Sequence, residues 1–191
     1  MRNWMLASAS GEAFNPEEGL SLTSTTAAFN TFNLTSGETD AVFAGEITFP
    51  NPLSAGVLFE IGGGGQGSYL GILPDNTNFI IRAGDGATDN GVFDAGKAEA
   101  IFNATSLAGQ SGTIVWEFRI DGRATLWFNG EIIAQDTAAN AAWENNQYSG
   151  GDDGGWGTSN GNIAGNGSTG NWAGSLLSSM RFYQGQNVIG A

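Results

Sequence analysis

The chain has 191 residues, 40% of them hydrophobic, enough for one large domain with a sizeable core. Its formal net charge of −13 repels phosphate backbones and anionic lipid, which argues against nucleic-acid and membrane partners. Cys and His are both absent, which excludes a disulfide framework, thiol chemistry, the common nucleophile–base arrangements and the usual zinc ligands.

Only 13% of residues are charged, about half the typical share, so Asn, Ser, Thr and Gly must cover the surface. Gly is abundant, at 31 residues, without a collagen period, and Pro is scarce. That combination means tight turns and long loops between strands. The opening MRNWMLASASGEAF has no apolar signal-peptide core, and no apolar run approaches the ~18 residues of a membrane-spanning helix. The expectation is a chain kept inside a cell, or one released by lysis within a virus particle.

Residues 1–38 are polar and loosely patterned, with Phe14, Leu20, Leu22, Phe29, Phe32 and Leu34 irregularly spaced. They read as an extended N-terminal arm with one or two short strands. Residues 39–191 read as a β-sandwich domain. Asp40–Phe49 alternates cleanly, with Val42, Ala44, Glu46 and Thr48 on one face and Phe43, Gly45, Ile47 and Phe49 on the other. Pro50 and Pro52 end it. Val57–Ile61, Tyr69–Leu73 and Phe79–Ala83 follow as strands bounded by Gly, Pro or Asn. Residues 84–112 read as a long connection with a short strand or turn near Ala100–Phe102.

Residues 113–135, TIVWEFRIDGRATLWFNGEIIAQ, predict a three-strand meander. Asp121-Gly122 and Asn129-Gly130 suit two-residue hairpin turns, whose central residues both need φ > 0. Ile114, Trp116, Phe118 and Ile120 share the buried face. Thr113, Val115, Glu117, Arg119 and Asp121 share a face expected to be solvated. Residues 138–171 form a long Gly/Asn-rich loop with a short strand expected near Gly155–Ser159, and Leu176–Tyr183 reads as the last strand. The predicted core is Phe43, Ile47, Phe49, Leu58, Phe59, Ile61, Leu70, Ile80, Trp116, Phe118, Ile120, Leu126, Phe128 and Phe182, between two antiparallel sheets.

GVLFEIGGG followed by SYLGIL and NFIIRAG, the meander IVWEFRIDGRATLWFNGEII, and the closing WAGSL…MRFY together resemble the concanavalin A-like, laminin-G-like jelly rolls over roughly residues 40–185. The resemblance implies an all-β, two-sheet antiparallel sandwich. Its superfamily includes sugar-binding modules, glycoside hydrolases, adhesion domains and phage virion components, so it leaves activity open. The hydrolases carry Glu-x-Asp-x-(x)-Glu on one strand. Here Glu117 and Asp121 point the same way, but Arg119 lies between them and the third carboxylate is missing, so a strand face outweighs a catalytic pair.

Calcium is the one ion the composition leaves open, with Asp85, Asp89, Asp152 and Asp153 as oxygen ligands in loops and no EF-hand spacing. Gly62–Gly67 joins two strands rather than opening a helix, which rules out a dinucleotide loop. Trp4, Met5, Leu6 and Phe14 in the arm, and Trp143, Tyr148, Trp156 and Trp172 in or beside the long loop, are candidates for subunit or glycan contacts, with packing over the sandwich ends as the plainer role. The reading that best joins these features is a non-enzymatic structural protein of a phage virion, without a resident cofactor. It would be a capsid decoration (cement) protein on the virion surface, touching the major capsid protein and copies of itself, with a tail or fibre component as the less favoured position. The alternative is a carbohydrate-binding module that recognises host surface glycans.

Overall fold

The computed structural model describes residues 6–8, 20–21, 40–63, 66–73, 75–85, 97–119, 121–137, 155–156, 177–184 and 186–188, some strand residues by backbone alone. Among them the strands run in order as β1 (Leu6–Ser8), β2 (Leu20–Ser21), β3 (Ala41–Thr48), β4 (Gly56–Gly63) and β5 (Gln66–Ile72). Then come β6 (Asn78–Asp85), β7 (Lys97–Asn103), β8 (Ser111–Phe118), β9 (Ala124–Phe128) and β10 (Glu131–Asp136). The chain closes through β11 (Gly155–Trp156), β12 (Leu177–Gln184) and β13 (Gln186–Val188). A single turn of 3-10 helix, Ala104–Leu107, is the helical element among the described residues, and the Asn103 side chain caps it.

Two antiparallel sheets face each other. One has the order β10-β9-β8-β3-β12-β2 and the other β11-β4-β5-β6-β7. After β3 the chain crosses to the other sheet at β3→β4, returns at β7→β8, and crosses and returns once more through β11, so β3 lies between β8 and β12, both distant from it in sequence. This is a Greek-key, jelly-roll arrangement. A separate ribbon, β1-β13, pairs the two ends of the chain.

The core between the sheets follows from strand alternation. Phe43, Ile47, Ile114, Trp116, Phe118, Leu126 and Phe128 from one sheet meet Leu58, Leu70, Ile72, Phe79 and Ile81 from the other. Phe43 lies opposite Trp116 and stacks on it at 5.1 Å. Phe49 bridges the sheets edge-on, 5.3 Å from Phe79 and 5.5 Å from Phe128. Of the predicted core, Phe43, Ile47, Phe49, Leu58, Leu70, Ile80, Trp116, Phe118, Leu126 and Phe128 are buried. Ile80 differs in kind, because it is buried on the outer face of the five-stranded sheet, beside Arg82, rather than between the sheets. The side chains of Phe59, Ile61 and Phe182, and residue 120 entirely, lie outside the described residues.

Four expectations are corrected. The connection expected over 84–112 contains β7, a full seven-residue strand. Its inward positions are Ala98, Ala100 and the half-buried Phe102, and the two alanines are too small to announce a buried face. The last strand is β13 and not β12. The Asn129-Gly130 turn has φ of 49° and 89°, as a two-residue hairpin demands, but Asp121-Gly122 does not form a second one. There the loop closes with Arg119 N–H donating to Arg123 O at 2.8 Å and Gly122 N–H to Arg119 O at 2.9 Å, and among the described residues of the loop Gly122 alone has positive φ. This is a three-residue connection that ends in a left-handed glycine. The fourth concerns Glu117, taken up next.

Candidate functional site

The outer face of the six-stranded sheet carries two cross-strand ladders. One runs Tyr183, Val42, Glu117, Thr125, Gln135, and the next Arg181, Ala44, Val115, Trp127, Ile132. Val42, Val115, Trp127 and Tyr183 form a second apolar cluster, completed by Val188 from β13. The part of this face around Val42, Val115 and Glu117 is therefore covered by β13, while its margin at Gln135 and Ile132 stays exposed.

Glu117 sits beneath β13, 1% exposed. The sequence reading placed it on a solvated strand face; the structure buries it, because a strand from the far end of the chain lies over β8. One carboxylate oxygen accepts from Arg119 Nε at 2.6 Å, and the other accepts the Val188 backbone N–H. Arg119 continues to Val188 O at 3.5 Å and to Asp40 at 3.6 Å, and Asn187 Nδ2 donates to Asp40 at 3.1 Å. Burial pushes the Glu117 carboxyl above its ordinary value, against the Val188 N–H and the Arg119 guanidinium, which favour the ionised form. Asp121, expected to point the same way, turns to Arg123 instead, with contacts of 2.8–3.0 Å. The Arg123 guanidinium holds it below the usual carboxylate range.

Chemically, this network binds β13 to the sandwich. A general acid or nucleophile must reach substrate, and Glu117 reaches only backbone and guanidinium. Among the described residues no group of three or more acidic side chains is placed to hold a metal ion. Of the calcium candidates, Asp85 ends β6 by its backbone, and Asp89, Asp152 and Asp153 lie outside the described residues.

A second feature lies at one lateral side. β7 and β10, the end strands of the two sheets, pack against each other. On their outer faces Ile101 is 47% and Ile132 49% exposed, the large hydrophobic side chains that stand in solvent among the described residues. The sequence reading missed both. The signal was present in EII and AIF, where adjacent apolar residues must face opposite ways on a strand. It missed Asp40, Asn187 and Val188 too, because their partners lie across the whole chain.

Of the aromatic and apolar contact candidates, Leu6 lies in β1 opposite Val188, and Trp156 lies in β11 opposite Phe59. Trp4, Met5, Phe14, Trp143, Tyr148 and Trp172 lie outside the described residues.

No family model and no curated protein matches this chain. Among solved structures it is similar to the mouse laminin α1 chain, domains LG4-5, with 14% identity and a TM-score of 0.39 over 81% of this chain and 38% of that one. It is similar to the binding domain of botulinum neurotoxin serotype G, with 8% identity and a TM-score of 0.48 over 94% of this chain and 47% of that one. A third similar structure is the binding domain of botulinum neurotoxin DC in complex with SialylT, with 8% identity and a TM-score of 0.42 over 97% of this chain and 44% of that one. This chain thus spans less than half the length of each. The laminin-G-like jelly roll expected from the sequence is the architecture found. Strand order and pairing carry that statement, and likeness at this level says nothing of what the chain binds.

Proposed function

We propose that this chain is a non-enzymatic structural module that works by contact. Its setting is the surface of a phage virion, where it serves as a capsid decoration protein held by the major capsid protein and by copies of itself. The observation that carries the reading is the buried Glu117. In the one carboxylate spacing with hydrolase character, Glu117 fastens β13 to the sheet and Asp121 turns to Arg123. Among the described residues the exposed large hydrophobic side chains sit at the lateral side, at Ile101 and Ile132. A surface poor in charge and rich in Asn, Ser, Thr and Gly suits close packing against neighbours.

Electron microscopy of particles from the source, with this chain labelled, tests the reading. A regular array on the shell is the expected result, with occupancy reduced by Ile101→Asp together with Ile132→Asp. Absence from any particle, combined with discrete binding of a monomer to a glycan array, would replace decoration with the carbohydrate-binding alternative. Steady hydrolysis of a polysaccharide, lost in Glu117→Gln, would overturn the non-enzymatic reading altogether.

A further inference from the structure

The two strands of the terminal ribbon are held very differently. β13 is fixed to the sandwich by its own contacts. Val188 N–H reaches Glu117, Val188 O receives Arg119, Asn187 reaches Asp40, and the Val188 side chain is buried in the outer apolar cluster. Among the described residues β1 pairs with β13 alone, through Leu6↔Val188, Ala7↔Asn187 and Ser8↔Gln186. The next strand, β2, pairs by two residues at the end of a sheet, Ser21 with Arg181 and Leu20 with Phe182. Both sheets and the main core are complete without β1.

β13 therefore offers a fixed strand edge on the outer surface, and β1 is a short strand that happens to fill it from the same chain. We propose that in the assembled state β1 of one copy fills this position on a second copy, so that neighbours are stitched by exchanged N-terminal strands. The partner is defined by the register itself, because any copy of the chain carries Leu6-Ala7-Ser8 and meets the same backbone groups. The reach is sufficient. Residues 9–19 separate β1 from β2, and eleven residues extend to about 36 Å, close to the ~40 Å diameter of a domain of this length. Pairing within one chain is favoured by an effective concentration in the millimolar range. Exchange thus needs copies packed side by side, and in this respect the proposal rests on the assembly reading and deepens it.

The chain has no cysteine, which makes a direct test simple. Ser8 and Gln186 are opposite in register, and opposed residues of antiparallel strands lie about 4.5–5.5 Å apart at Cα, within disulfide reach. The single variants Ser8→Cys and Gln186→Cys, in the full chain and one of them tagged, are co-refolded, concentrated and oxidised in a glutathione buffer. The heterodimer should exceed both homodimers several-fold. The double variant should close an internal bridge when dilute and give covalent dimers and longer ladders when concentrated. An internal bridge at every concentration with no heterodimer excess overturns the exchange, and so does failure of any bridge to form. If exchange fails in this way while the chain is found arrayed on a particle, assembly stands and proceeds through other surfaces. If heterodimers form but the chain occurs on no particle, the exchange stands and the virion setting is wrong.

Discussion

Glu117 shows how much one buried carboxylate can organise. It accepts from the guanidinium of Arg119, just past the end of its strand, and from a backbone N–H of β13, so its loss leaves both donors short of an acceptor beneath β13. Glu117→Ala should cost about 2–3 kcal/mol in denaturant unfolding. Glu117→Gln should cost about 1 kcal/mol, because one amide oxygen can serve only one of the two donors. The two carboxylates on this strand and turn also pull stability in opposite directions with pH. The folded-state value of Glu117 is raised by burial, so its contribution is complete below the unfolded value and is lost as pH rises through the folded one. That of Asp121 is lowered by Arg123, so its contribution is present above the unfolded value and is lost as pH falls through the folded one. Thermal melts across pH should therefore lose their decline on the less acidic side in Glu117→Gln. In Asp121→Asn they should lose part of their decline at the acid end. A wild-type profile in which Glu117→Gln changes nothing on the less acidic side would refute this assignment.

At the scale of the element, the β9–β10 hairpin is set by its turn and by one side chain. Asn129 takes φ of 49°, and its Oδ1 accepts from Thr113 N–H at 3.0 Å on the neighbouring strand. Gly112 makes room for it, since a Cβ there would lie 2.2 Å from that same oxygen. Gly112→Ala and Asn129→Ala should each cost about 1–2 kcal/mol. The double variant should cost clearly less than their sum, because both remove one contact. Full additivity in a double-mutant cycle would show that the two sites act separately. The meander was legible in sequence because Trp116, Phe118, Leu126 and Phe128 are large, apolar and two apart, and because Asn-Gly has few other uses. β7 was legible only around Ala100–Phe102, because Ala98 and Ala100 make a buried face that looks like a loop. β13 and the burial of Glu117 were not, because three-residue strands have no period and their partners come from the opposite end of the chain. The Asp121-Gly122 turn was misread because Asp-Gly also fits a three-residue loop, where the glycine alone needs positive φ.

For the whole molecule, the sandwich should survive loss of its first strand. Deleting residues 1–8 removes β1 and leaves both sheets and the Glu117 contacts in place. The melting temperature should fall by only a few degrees, and occupancy on the particle should fall far more; a collapse of the fold would show that β1 is integral to it. The strand order has one further consequence, and it concerns time. β4 to β7 are neighbours in sequence and in space, so their sheet can form as soon as they leave the ribosome. β3 precedes them, yet it must wait for β8 on one side and for β12 on the other, near the end of synthesis. For most of translation, a strand bearing Phe43 and Ile47 has two open edges, each a template for pairing with another nascent chain. Pulse-labelling hydrogen exchange during refolding should find the amides of β5 and β6 protected before those of β3. The same chain, translated at high density, should be most prone to aggregation in the interval before β12 emerges.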